Sequence, residues 1–144
     1  MPRPYFLMLT VGKHQVEING DTLLVRWVGA PSLAELQAIG GLQDQLIAEY
    51  GRVFYVMDMR RAGIVAPEAR LFLKDRAAPR PIIGPVVFGM SLPVRAILTL
   101  ILRGIQLKHQ YKRFESAFVK DEAEALSWVV RVRKRRDAER RSAE

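Results

Sequence analysis

The sequence predicts an α/β fold: a single domain with a central mixed or parallel sheet of about five strands flanked by about four helices. Three observations lead there. Runs rich in β-formers alternate with stretches of helical periodicity from residue 14 to about residue 132, the pattern of strands joined by packed helices. The segment Val53-Phe54-Tyr55-Val56-Met57 is continuously apolar, as expected of a strand covered on both faces. A chain of 144 residues with 49% hydrophobic content suits one domain with a full core.

Taken in order, residues 5–11 are apolar after Arg3 and read as a lead-in segment or first strand. A secretory signal is not expected, because no small-residue cleavage site follows them. Residues 14–18 alternate polar and apolar, Asn19-Gly20 is a hairpin turn, and residues 22–28 form its second strand. Gly29-Ala30-Pro31 breaks that strand, and Ser32 with Glu35 makes a capping box. Leu33, Leu36, Ile39, Leu42, Leu46 and Tyr50 then follow at helical spacing, with Gly40-Gly41 leaving room for a close approach and Gly51 closing the helix. The central strand, residues 53–57, ends at Asp58. A short helix starts at Pro67, residues 77–81 form a loop, and residues 82–90 form a strand interrupted at Gly84-Pro85. A long helix covers residues 91–108, and residues 114–120 form a short last strand. The final helix is capped by Asp121 and Glu124. Beyond Val132 that helix has nothing apolar left to bury. Residues 1–132 are therefore read as the domain and 133–144 as a basic tail, helical or frayed.

The order of elements and two segments resemble the SpoIIAA-like branch of the STAS superfamily, which is related to lipid-binding CRAL-TRIO folds. The segments are Tyr55-Val56-Met57-Asp58-Met59-Arg60 and the stretch from Phe114 through Asp121, Glu122, Glu124 and Ala125 to Trp128, similar to the family's closing strand and helix. The resemblance implies a protein-interaction or ligand-binding domain without catalysis. In the anti-sigma antagonists of that family a serine just after the central strand is phosphorylated. Residues 58–67 here contain neither Ser nor Thr, so that switch does not carry over.

The inventory of reactive residues narrows the chemistry further. There is no cysteine and there are two histidines, His14 and His109, too few for a structural zinc site. No metal and no cofactor are expected. Residues 84–91 have the spacing of a phosphate loop, but Met90 stands where its lysine belongs and Pro-Val-Val-Phe fills its interior. Ser32 and Ser91 read as helix caps, and Asp121, Glu122 and Glu124 as partners of a helix dipole. No catalytic residue is assigned, and the chain is expected not to be an enzyme. Asp58 stands at the carboxyl end of the central strand, where α/β proteins place ligands. Arg60 and Arg61 follow it as candidates to hold an anion; the alternative is an Asp–Arg link that only braces the loop.

Net charge is +8, and residues 131–144 hold seven Lys or Arg against three Asp or Glu, half of that excess. No aromatic residue or recognition motif accompanies the tail, so no specific nucleic acid is expected. The helix at 91–108 says more. Arg95, Thr99, Arg103 and Gln106 make one narrow polar stripe on an otherwise apolar cylinder, wider in its apolar part than covering a sheet requires. It is too short and too charged to span a membrane. Its excess apolar surface is buried under the final helix and loops, or forms a homodimer or protein-partner seam, or faces a lipid. Leu98, Ile101, Leu102 and Ile105 are the candidates for such a partner or lipid surface. The reading that follows is a cytoplasmic, non-enzymatic regulatory or protein-interaction module. The alternative is a carrier of a small apolar ligand or lipid, with a cavity beside Leu98, Ile101 and Leu102 and affinity for an anionic membrane surface.

Overall fold

The structure is a computed structural model that describes residues 6–76, 81–109 and 116–143. Among the described residues, six strands and four helices follow one another as β1 (Phe6–Val11), β2 (His14–Asn19), β3 (Thr22–Gly29), α1 (Leu33–Tyr50), β4 (Val53–Ala62), α2 (Pro67–Arg76), β5 (Ile82–Phe88), α3 (Leu92–His109), β6 (Ala117–Val119) and α4 (Glu122–Ala143). They build one mixed sheet in the order β1-β2-β3-β4-β5-β6. The first three strands meander antiparallel, and β3 through β6 run parallel. The sheet thus has one strand more than expected. The extra strand is β1, which among the described residues pairs with β2 alone, at the sheet's edge. The predicted loop at 77–80 and the start of the predicted strand at 114–115 lie outside the described residues.

Alternation along β3 and β4 sorts side chains to two cores, because successive residues of a strand point to opposite faces. Leu23, Val25, Trp27, Val53, Met57 and Met59 face α1, α2 and α3. Leu24, Phe54 and Val56 face α4, where Ala125, Val129 and Val132 cover them, with Trp128 packed at the margin.

The helix signals of the sequence are realised in detail. The Ser32 hydroxyl accepts from the Glu35 N–H at 3.1 Å, and the Glu35 carboxylate accepts from the Ser32 N–H at 2.8 Å. Gly51 closes α1 in the left-handed region at φ 79°, which glycine adopts without a Cβ clash. At Gly40 a side chain would collide with Arg76, whose guanidinium donates to the Gly40 carbonyl and to Asp44. Buried His14 ties the hairpin to α1. The Val28 N–H donates to its Nδ1 at 2.9 Å, which leaves the Nε2 proton to donate to Glu35 at 3.2 Å.

The end of α4 is helical and is held to the sheet. The helix continues unbroken through Ala143, and its turn after Val132 is fastened to the sheet by charge rather than by apolar burial. Arg133 donates to Asp21 at 2.6 Å and to the Thr22 hydroxyl at 2.9 Å. Arg52 donates to Asp21 at 3.2 Å and to Asp137 at 2.7 Å. Both guanidinium groups lie against the Phe54 ring, at 5.0 Å for Arg52 and 4.8 Å for Arg133. These partners sit at the start of β3 and β4, far away in sequence, so a reading of apolar periodicity alone passes over them.

Truncation measures that fastening. Ending the chain after Val132 is expected to lower stability to chemical denaturation by about 1–2 kcal/mol, the sum of two partly exposed ion pairs and their ring contacts. Ending it after Ala138 should leave stability within about 0.5 kcal/mol of the full chain.

Candidate functional site

Two places on the sheet collect the residues singled out from the sequence, one on each face. On the α4 face, the β3–β4 ladder continues past the apolar run: Arg26 pairs with Asp58, Val28 with Arg61 and Gly29 with Ala62. Asp58 therefore lies inside β4 and not at its carboxyl end, because backbone pairing with β3 carries the strand to Ala62 even where its side chains turn polar. Arg60 folds back on Asp58, its backbone N–H at 3.1 Å, Nε at 3.0 Å and Nη2 at 2.7 Å from the carboxylate oxygens. Arg26 reaches the same carboxylate at 3.0 Å, Glu17 at 3.1 Å, and also Glu122 at the start of α4. The Arg60 guanidinium covers the Phe88 ring at 5.6 Å.

The electrostatics of this cluster are those of a lock. Burial alone would raise the Asp58 carboxyl, but the hydrogen bonds from Arg60 and Arg26 outweigh it and hold it below the usual carboxylate range. The Arg26 guanidinium is raised, chiefly by its hydrogen bond with Glu122 and against the effect of burial. Asp58 and Arg60 are thus brought together as an ion pair. Arg61 points away from them by strand alternation, exposed and without an ion pair among the described residues. Arg26, Glu17 and Glu122 complete the cluster; Arg26 and Glu17 were not singled out from the sequence, and Glu122 was read there only as a partner of a helix dipole. The available signal was one arginine inside the apolar strand Thr-Leu-Leu-Val-Arg-Trp-Val.

On the other face, β3, β4 and α3 enclose a cavity of about 220 Å³. Trp27, Tyr55, Met57 and Met59 form its floor, α3 supplies Val94, Ile97, Leu98, Ile101 and Leu102, and Leu36 and Leu73 come from α1 and α2. Leu98, Ile101 and Leu102 are 7%, 7% and 8% exposed. As a partner surface they are therefore misplaced: the helix turns them inward, to wall the cavity. Nor does the final helix bury them, since α4 covers the opposite face. The Ile105 side chain lies outside the described residues. The outward leucines of α3 are Leu92, Leu100 and Leu107.

The cavity is apolar apart from a few groups. The Trp27 indole is 3% exposed, and its Nε1–H has no hydrogen-bond partner among the described residues. Its ring stands edge-on to His14, centroids 4.8 Å apart. The Tyr55 hydroxyl is raised by burial, so it keeps its proton and remains a donor at neutral pH. Gln43 and Arg76 reach the margin, linked to each other at 3.4 Å. Two exposed residues, Ile64 and Pro81, belong to the lining and carry it to the surface.

A six-stranded mixed sheet with three helices on one face and one on the other can be set against known structures. An uncharacterized protein of the DUF3478 family from Shewanella loihica, described as having a SpoIIAA-like fold, superposes with a TM-score of 0.53 and 12% identity over 86% of this chain and 91% of that one. The fold is SpoIIAA-like. The anti-sigma factor antagonist SpoIIAA in its unphosphorylated form gives a TM-score of 0.49 and 11% identity over 90% of this chain and 98% of that one. No model of a protein family and no curated protein matches the sequence. At such identities the likeness concerns the SpoIIAA-like backbone. The cavity and the arginine cluster are therefore described from this chain's own residues.

The lowered Asp58 carboxyl sets a pH dependence. Its charged form contributes stability that is complete above about pH 4 and is lost as pH falls through the depressed folded-state value. Asp58→Asn is expected to cost about 1–3 kcal/mol at neutral pH. It should also flatten the fall of stability between pH 6 and pH 3, measured by denaturant titration at each pH.

Proposed function

We propose that this protein is a non-catalytic binding module whose interior cavity takes a small apolar molecule carrying one hydrogen-bond acceptor. The observation that carries the reading is a mainly apolar cavity lined by Trp27, whose N–H is buried and unpartnered among the described residues. A buried donor without an acceptor costs about 1–3 kcal/mol, and an acceptor on a ligand would recover that. Size bounds the ligand as well. A cavity of roughly 150 Å³ binds benzene, so one of about 220 Å³ suits about nine non-hydrogen atoms. The non-catalytic part of the proposal is supported by the charged cluster on the opposite face, where the carboxylates of Asp58 and Glu122 are both engaged by arginine.

A protein-interaction role, with a second copy as partner, is favoured by a separate observation. Among the described residues the edge strand β1 pairs on one side only, and it exposes Phe6, Leu7 and Met8; an apolar edge without charge is open to pairing with another strand. Under this second reading, light scattering detects a dimer that Met8→Lys dissociates.

Acetophenone and isopropylbenzene, matched in size but differing in one carbonyl oxygen, test the cavity reading by calorimetric titration. Acetophenone should bind about tenfold more tightly, the worth of one hydrogen bond, and Trp27→Phe should abolish the difference. Leu98→Trp, which fills the cavity, should abolish binding of both. Equal affinities in the native protein, or no binding of either compound, would sink the proposal.

A further inference from the structure

We infer that the outer face of the α2–α3 pair docks on the surface of an anionic lipid bilayer. The inner side of α3 is spent on the cavity through Val94, Leu98, Ile101 and Leu102. Leu92, Leu100 and Leu107 remain, turned outward and 83%, 60% and 80% exposed. At 3.6 residues per turn these three leucines fall within an arc of about 80° and make a stripe about 22 Å long. Leu71 of α2, 62% exposed, extends the stripe sideways, because Leu71 and Leu107 line one shallow groove between the helices together with Lys74, Asp75 and Gly104. Exposed aliphatic side chains in a row of this length are not what a solvated helix presents.

Charge selects the occupant. α3 contains no Asp or Glu along its eighteen residues, and α2 carries Arg70, Lys74 and Arg76 against Glu68 and Asp75, so the pair is cationic overall. Arg103 falls within the arc of the leucines, exposed and without an ion pair among the described residues, and Arg95 flanks it, stacked on Phe118 at 5.0 Å. The whole chain carries +8. A second copy would bring the same cations against these, and like charges facing each other oppose association. An anionic headgroup layer meets the arginines, and the acyl boundary beneath it takes the leucines, the arrangement of a helix lying in the interface. Among the described residues no helix is long and apolar enough to cross a membrane, so the contact is with the surface. Docking would place the bilayer one helix thickness, about 10 Å, from the cavity. The inference stands on α2 and α3 alone, and vesicle binding and acetophenone binding are measured separately, so each can fail without the other.

The experiment is co-sedimentation of the full chain with vesicles of phosphatidylcholine alone and of an equal mixture with phosphatidylglycerol. The protein is expected to sediment with the mixed vesicles only, and less as salt rises. The double variant Leu100→Ser/Leu107→Ser, which alters only exposed positions and should keep the native circular dichroism, is expected to lower the partition coefficient about tenfold or more. Arg103→Glu should lower it about fivefold or more. Failure of the native chain to sediment with the mixed vesicles overturns the inference. So does undiminished binding of the folded double variant, which would move the contact to the basic end of α4. A dimer in light scattering that the double variant dissociates also overturns it, since a second copy would then occupy the face.

Discussion

The parallel pairing of β3 with β4 places Leu24, Phe54 and Val56 on one side of the sheet and Leu23, Val25 and Met57 on the other. Neither side can be left to solvent, so each must be covered by helices. Three of them, α1 to α3, take one face and α4 takes the other. The rest of the architecture follows from that demand. Polar groups on these strands lose water as soon as the covers close, and they persist only where partners reach them. Asp58 meets this condition through Arg26 and Arg60, and Asp21 through Arg52 and Arg133. Trp27 does not, and its N–H is buried without a partner among the described residues.

The two faces divide the work accordingly. Under α4 the contact is close, and arginines run along both margins of its apolar strip. At one end Arg26 joins Glu17, Asp58 and Glu122; at the other Arg52 and Arg133 both lie against Phe54. Such a helix is clamped at its start and again past its middle. Under α3 the cover is looser. Its inward residues are aliphatic and leave about 220 Å³ unfilled, where natural cores of this size hold few voids larger than a water molecule. The same helix exposes leucines outward. An apolar helix that leaves a cavity beneath it and leucines above it is under-packed on both sides, and the proposed ligand and bilayer are the two partners that would complete it.

His14 and Glu35 show how local signals serve the distant site. Glu35 caps α1 and also receives the His14 Nε2 proton, while His14 Nδ1 accepts from Val28 next to Trp27. The hydrogen bond of Glu35 with the Ser32 backbone holds its carboxyl below the ordinary range, against a smaller effect of burial and with help from His14. A helix cap thereby fixes the edge of the hairpin against which the indole stands. The cap was legible from four residues of sequence; its use as a brace behind Trp27 was not.

By itself the sequence determined whatever rests on neighbours along the chain. The capping box at Ser32, the turn at Asn19-Gly20, the Gly51 stop, the central strand and the order of strands and helices all depend on short-range backbone preference and on the period of apolar residues. It also marked α3 as too apolar for a simple sheet cover. Only the tertiary structure decided how that excess is divided, with Leu98, Ile101 and Leu102 turned to a cavity and Leu92, Leu100 and Leu107 turned outward. It likewise carried β4 past Asp58 by pairing it with β3, and it fastened the turn after Val132 to Asp21 and Arg52. These outcomes depend on partners dozens of residues away, and a periodic pattern records that a side chain is apolar or charged without recording what it will meet.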